Sequence, residues 1–381
     1  MGKKGASQKT IDVPQVPVLR VIGDYEVPKF ATLVQEGDKL YYDVPWESAL
    51  GIPETDRGHR FKKIDIFDIH TILLGKGNIP GMVAVQRRVG VSRSVLTVPT
   101  DRGVIELGGL DRSGDFLEVA LEALNAYPDR FVIFANIDYR GFTEPGWTDR
   151  ELRRFDELWA KGVRGIKGLI GQCMVIRGLN ELLGLPKHHS FLTDPKLQPL
   201  WRHASDLGAI VFQHVGDAPV NHKAYPPEKA YAEFWETVEA YPNTIFVAPH
   251  LAGSVFEPTG TLDQLATWLT SHPNLYTTVS GLTTVLRPTT AFTPEGARKF
   301  HEFIVAHSDR VLFGTDLGLG REPTVEAAYY LYRRWFEDPL GSSFEMVHSA
   351  PLRVYGLGLP NNTLEKVYHG NLERLLSRQR R

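Results

Sequence analysis

From Lys63 onward the chain repeats one alternation, and that alternation limits the folds open to it. Short β-branched and aromatic runs recur at Lys63–Ile69, Ser94–Pro99, Phe131–Ile137, Val163–Ile170, Ala209–Val215, Thr244–Pro249, Asn274–Val279 and Arg310–Gly314. Between most of them lie amphipathic stretches of helical period: Asp115–Ala126, Asp149–Lys161, Asp194–Leu207, Pro227–Ala240, Leu262–Ser271, Pro294–Ala306 and Pro323–Phe336. A final stretch of the same kind, Thr363–Ser377, follows the eighth run. Asp194-Pro195 and Glu322-Pro323 each place proline where a helix can begin. Strand, crossover helix and parallel strand make the βαβ unit, so the pattern predicts a parallel sheet covered by helices. Eight such units predict an α/β fold of the (β/α)8 TIM-barrel type. A doubly wound open sheet has the same periodicity and stays open as the rival.

The pattern begins only after residue 60. The first 60 residues are rich in Pro, Gly and charge, with apolar pieces as short as Pro17–Ile22. They are expected to form an N-terminal extension, with residues 61–381 as the barrel and its C-terminal helix. The length of 381 residues admits two domains of about 150 each, but the unbroken alternation favours one large one. A hydrophobic fraction of 42% supplies a core of that size. With 43 Lys+Arg against 45 Asp+Glu the chain lacks the basic excess that nucleic acid would select. No apolar run reaches the roughly 18 residues of a spanning helix, so no membrane partner is expected. Met1–Ser7 resembles a myristoylation start, with the hydroxyl one position late, and Ala6 to Pro14 is too polar for a signal peptide. The single cysteine, Cys173, excludes an intramolecular disulfide and suits a reducing cytosol, so a cytoplasmic location is expected.

The chemistry is concentrated where the apolar runs end. The first run leads into Asp68-Ile69-His70, the third into Asn136-Ile137-Asp138, and the fourth carries Lys167. The fifth ends Gln213-His214, the sixth Pro249-His250, and the eighth Gly314-Thr315-Asp316. In a closed barrel these ends ring one mouth, where barrel active sites are built. Taken alone, each residue has a plainer explanation. A strand-end histidine is more often hydrogen-bonded structure than a ligand, Asp316 suits an Asx turn, and Lys167 a solvated strand end. Three histidines and at least two aspartates converging on one mouth form a nitrogen and oxygen donor set for a divalent metal.

In this order and spacing the motifs resemble the amidohydrolase superfamily, in its amidohydrolase-related branch of metal-dependent hydrolases and nonoxidative decarboxylases. The resemblance covers roughly residues 60 to 377. It is carried by Phe67-Asp68-Ile69-His70-Thr71, Gln213-His214-Val215-Gly216, Pro249-His250-Leu251-Ala252-Gly253, Leu312-Phe313-Gly314-Thr315-Asp316 and the closing Tyr368–Leu376. One departure stands out. The family's first strand carries His-x-His or Glu-x-His, whereas here Ile72 occupies the second position after His70. Reading Asp68-Ile69-His70 as the signature restores two donors at i and i+2, on one face of a regular strand.

The resemblance implies one divalent ion, Zn or Mn, held by Asp68, His70, His214 and Asp316, with a metal-free barrel as the alternative. It implies Asp316 as general base and then acid, and His250 as a catalytic residue stabilising negative charge. Lys167 matches the position of the carboxylated lysine in binuclear members, although a single ion is expected here. Arg140 and Arg287, beyond the third and seventh runs, are candidate anchors for an anionic small-molecule substrate, as is Lys167. His188-His189 and His222 fall in loops at the mouth. The aromatic stretch Tyr329–Phe336 reads first as core and second as a subunit interface, which makes a homodimer the expected oligomer. The functional expectation is a metal-dependent hydrolase of a small, carboxylated amide, ester or lactone. Decarboxylation of an aromatic or unsaturated acid is the alternative, and a degenerate ligand-binding barrel the third.

Overall fold

The computed structural model describes residues 32–36, 39–43, 61–73, 79–98, 116–168, 180, 183–186, 189–215, 227–252, 262–281, 293–319, 322–348 and 350–380. Strands β1 (Thr32–Glu36) and β2 (Lys39–Asp43) form an antiparallel hairpin within the expected extension. The eight expected strands all form. They are β3 (Ile66–Leu73), β4 (Val91–Thr97), β5 (Phe131–Asn136), β6 (Val163–Lys167), β7 (Ile210–Phe212), β8 (Ile245–Ala248), β9 (Leu275–Val279) and β10 (Val311–Phe313). They pair in parallel, each with its sequence neighbour. Closure comes from a short continuation of the eighth strand, β11 (Leu317–Leu319), which pairs with Thr71–Leu73 of β3. The barrel therefore replaces the open-sheet rival.

The helices are α1 (Ile79–Val89), α2 (Phe116–Ala126), α3 (Trp147–Ala160), α4 (Gln198–Leu207), α5 (Pro227–Ala240), α6 (Leu262–Ser271), α7 (Pro294–Ala306), α8 (Glu322–Glu337), α9 (Asn361–Glu365) and α10 (Asn371–Ser377). Three differ from expectation, one of them the closing stretch, which starts at Asn361 rather than Thr363 and passes through a π-helical turn at Lys366–Gly370 between α9 and α10. Helix α1, opening on Ile79-Pro80-Gly81, has a weak helical signature and was not predicted. Helix α4 begins at Gln198 rather than Asp194, because the Asp194 carboxylate accepts from Lys196 N–H and closes a turn there. An antiparallel hairpin, β12 (Ser343–His348) and β13 (Ala350–Tyr355), was also not predicted.

The core has two layers. An inner cluster fills the lumen with Phe67, Ile69, Val95, Val132, Phe134, Ile210, Phe212, Val247, Tyr276 and Leu312. A larger one packs the strands' other faces against the helices. Gly165 is what lets Phe134 into the lumen: a Cβ there would lie 2.5 Å from Phe134 Cδ1 and 2.7 Å from the Ile210 carbonyl oxygen. Leu372 and Leu375 of α10 join the inner cluster. Asn371 Nδ2 donates to the Ser308 and Val311 carbonyls at the start of β10, so the C-terminal helix stoppers the barrel's lower end. The upper end is left to the site.

Candidate active site

Local backbone breaks, rather than regular strands, aim the polar side chains. Strand β3 slips register against β4 between Asp68 and Thr71. Phe67 and Ile69 face the lumen, and across the slip the His70 ring also turns inward, 4.7 Å from the Phe212 ring. Strand β10 stops at Phe313, and Asp316 takes a left-handed backbone, φ 62°. Its N–H donates to the His70 carbonyl at 2.7 Å, locking the first strand to the eighth. After β8 the chain makes a left-handed turn, with φ of 58°, 53° and 54° at His250, Leu251 and Ala252. Such backbone costs an L-residue roughly 1–2 kcal/mol each and persists where surroundings over-determine it. Here Tyr231 Oη–H donates to the Ala252 carbonyl at 2.8 Å, and His250 N–H to Thr278 Oγ1 at 3.3 Å.

The result is a compact group. His70 Nε2 lies 3.0 Å from Asp316 Oδ1, and His250 Nε2 lies 3.6 Å from Asp316 Oδ2. One donor atom from each of the three lies within 4.8 Å of the others, a separation open to a shared metal ion. The His214 ring packs against His250 at 4.7 Å between centroids. Lys167 is 1% exposed, with Nζ 4.4 Å above the Phe212 ring.

Three buried polar atoms around this point, His70 Nε2, His214 Nδ1 and Lys167 Nζ, have no aligned hydrogen-bond partner among the described residues. Burial first, then the neighbouring Lys167 and histidine charges, holds His70 well below the usual imidazole range. His214 is lowered well below it by burial, then by His250 and Lys167. Burial also lowers His250, against the opposing pull of Asp316. Neutral imidazoles keep the lone pair that a metal takes. Burial raises the Asp316 carboxyl, with His250 and Lys167 pulling it back, and brings Lys167 down to about 8. Orphaned donors, neutral histidines and one carboxylate fit a divalent cation of the zinc or manganese kind.

Asp68, expected on sequence as a ligand, is engaged by four protein donors. Its carboxylate lies in the barrel wall, where Oδ1 accepts from His70 N–H at 2.8 Å and Thr315 N–H at 3.1 Å. Oδ2 accepts from Thr315 Oγ1–H at 2.5 Å and Tyr329 Oη–H at 2.6 Å. The register slip removes the i, i+2 relation that would have placed both donors in the mouth. Burial pushes the Asp68 carboxyl up to about 6 against those four hydrogen bonds. His250, assigned a catalytic role on sequence, falls inside the group of possible ligands, and the ring of His214, expected as a ligand, packs against it.

Arg140 is 79% exposed and holds Asp138 in a fork, Nε to Oδ1 at 2.9 Å, away from the cluster. His189 pairs with Asp194 at 2.9 Å. Arg287, His188, His222 and Cys173 lie outside the described residues. Sequence reasoning missed Thr315, Tyr329 and Ser280. The signal for Ser280 was present: Thr277-Thr278-Val279-Ser280 is polar for the end of a buried strand, and the seventh run was the one barrel strand credited only with an arginine beyond it.

Comparison with known proteins places the fold. The amidohydrolase family's sequence profile matches residues 94–378, well over half of the chain. The chain belongs to the amidohydrolase family. No curated protein sequence matches it. Among solved structures, an uncharacterised TIM-barrel protein from Bordetella bronchiseptica superposes at a TM-score of 0.52 with 17% identity, covering 82% of this chain and 99% of that one. A probable 2-pyrone-4,6-dicarboxylic acid hydrolase from Acinetobacter baumannii gives 0.50 with 13% identity, over 82% and 100%. The 4-oxalomesaconate hydratase of Rhodopseudomonas palustris gives 0.50 with 13% identity, over 82% and 96%. These likenesses show the TIM-barrel fold. No described helix is long and apolar enough to cross a membrane.

Proposed function

We propose that this amidohydrolase is a metal-dependent hydrolase of a small carboxylated amide, ester or lactone. The observation that carries the reading is the buried His70–His250–Asp316 group with Lys167 beside it. His70, His250 and Asp316 would hold one divalent ion, with His214 packed against His250 as the further candidate. Bound there, the ion supplies Lewis acidity toward an oxygen of the substrate.

The chain's own groups supply the rest. The Lys167 ammonium, buried and without an aligned partner among the described residues, is a counter-charge for a substrate carboxylate. The Asp316 carboxylate accepts a proton from the attacking water and returns it to the leaving oxygen or nitrogen. The lumen aromatics beneath, Phe212 above all, exclude bulk water from that exchange. Both the pyrone dicarboxylic acid hydrolase and the oxalomesaconate hydratase act on carboxylated compounds by their names, which agrees with a cationic hook. The same observation supports decarboxylation as the second reading, because Asp316 in its acid form would protonate the carbon that loses CO2.

The test is a screen of carboxylated lactones, esters and amides with Zn²⁺ or Mn²⁺ added, read by product mass. Gain of one water marks hydrolysis, and release of CO2 marks the second reading. Asp316→Asn should lose turnover by on the order of 10²-fold or more, and His70→Asn and His250→Asn should lose metal. Full metal content in both histidine variants would overturn the ligand set.

A further inference from the structure

We infer that Ser280, just beyond the seventh barrel strand, is a positioning residue that sets the orientation and proton placement of the His70 ring and steadies His250 beside it. Only the metal arm of the test below rests on the proposed function. Ser280 is 1% exposed, and its Oγ lies 3.3 Å from His70 Nδ1 and 3.0 Å from His250 Nδ1. Its carbonyl oxygen also lies 3.0 Å from His250 Nδ1, and Thr278 Oγ1 lies 2.7 Å from its hydroxyl.

The donor rules fix the proton on His250, and a Ser280 hydroxyl that donates to Thr278 fixes the one on His70. A carbonyl oxygen only accepts, so His250 Nδ1 carries a proton and the neutral ring keeps its lone pair on Nε2, toward Asp316. The Ser280 hydroxyl has two lone pairs and one proton. Donating to Thr278 Oγ1, it accepts from both Nδ1–H groups; donating instead to His70 Nδ1, it would leave that ring its proton on Nε2, and the tautomer tells the two apart. With the hydroxyl donating to Thr278, His70 also presents a lone pair on Nε2, the atom 3.0 Å from Asp316 Oδ1 that makes no aligned hydrogen bond among the described residues. One hydroxyl thereby turns both imidazoles toward the same point.

The packing makes room for this contact. Gly314 sits between the two residues, and a Cβ there would lie 3.0 Å from His70 Cβ and 3.3 Å from Ser280 Cβ. A side chain at that position would wedge the ring from the hydroxyl. The two histidines differ in one respect that the test uses: His250 keeps a main-chain acceptor when the hydroxyl is removed, and His70 does not.

The experiment is long-range ¹H–¹⁵N correlation NMR on the metal-free, ¹⁵N-labelled full chain, with Ser280→Ala and Ser280→Thr beside the unaltered protein. The unaltered protein should show the Nδ1–H tautomer at both His70 and His250. Ser280→Ala should shift His70 toward Nε2–H and leave His250 in place, and Ser280→Thr, which keeps the hydroxyl, should restore His70. In parallel, Zn²⁺ affinity measured by chelator competition should fall about 10-fold or more in Ser280→Ala and recover in Ser280→Thr. An unchanged His70 tautomer in Ser280→Ala overturns the inference, whatever happens to the metal. A shifted tautomer with no Zn²⁺ bound by any of the three proteins upholds Ser280 and sinks the metal reading instead.

Discussion

Asp68 shows how one carboxylate organises a site without facing it. Three of its four hydrogen bonds hold the main chain at His70 and both the main chain and the side chain at Thr315, one end of the tie between the first and eighth strands and the residue before its other end. Asp316, one residue on, can therefore keep its left-handed backbone. Asp68→Asn should retain zinc or manganese close to the level of the unaltered protein, as measured by elemental analysis. A loss as deep as in His70→Asn would return Asp68 to the ligand set. Asp68→Ala should behave differently. It strands the Thr315 N–H in the wall and takes one partner from the Tyr329 hydroxyl, and an unsatisfied buried group costs roughly 1–3 kcal/mol. A lower urea midpoint with an unchanged slope is the expected reading, and an unchanged midpoint would show that water satisfies those groups.

At the scale of elements, a barrel strand must satisfy its inner and outer neighbours together. Strand β6 does so with a glycine at the one position where the lumen is already taken by Phe134 from the adjacent strand. Gly165→Ala should therefore destabilise the protein by about 1–3 kcal/mol, the usual cost of overpacking, although alanine is the better residue in an unconstrained chain. Phe134→Leu in the same molecule should recover part of that loss by vacating the space. Thermal or urea unfolding of the single and double variants reads both, and simple additivity would show that the two sites do not share the space. The strand ends follow another rule. Register slips and left-handed turns at β3, β8 and β10 aim His70, His250 and Asp316, so the breaks in the elements carry the chemistry.

The whole barrel is held by ties between segments far apart in sequence. Arg333 on α8, 3% exposed, donates to the carbonyls of Val89 at 2.9 Å, Ile64 at 2.9 Å and Lys62 at 3.1 Å. Glu337 one turn later accepts from Arg333 at 2.8 Å, from the Tyr368 hydroxyl at 3.0 Å and from Lys62 N–H at 2.7 Å. One buried pair thus joins the entry to β3, the end of α1, helix α8 and the C-terminal segment that stoppers the lumen. Removing one partner of such a pair leaves the other charge buried, at a cost of about 3–5 kcal/mol. Glu337→Ala should lower the unfolding free energy by that amount, read from urea unfolding, and should weaken zinc binding only as far as it unfolds the chain. A zinc affinity that falls in fully folded Glu337→Ala would mean that the tie acts on the site itself.

The sequence by itself determined the units of this fold, their order and the ends at which chemistry collects. Hydrophobic period is a local property, and eight runs of strand length separated by helical period leave few topologies. His70, His250 and Asp316 were legible for the same reason, because polar residues closing buried runs must either find partners or do chemistry. Helix α1 and the hairpin β12–β13 were not legible, since a Pro-Gly start and a mixed polar strand carry little periodic signal. Only the tertiary structure decided which donors meet. The slip in β3 turned Asp68 into the wall, and no glycine or asparagine announces the left-handed turn at His250-Leu251-Ala252. Likewise Ser280 approaches both histidines only because closure of the barrel brings the seventh strand, beside the eighth, to within two places of the first. Period-2 alternation predicts a side chain's face while the strand stays regular, and a single inserted residue reverses it. At this site the strands are irregular where the side chains matter, so contacts made across the closed barrel settle what spacing along the chain leaves open.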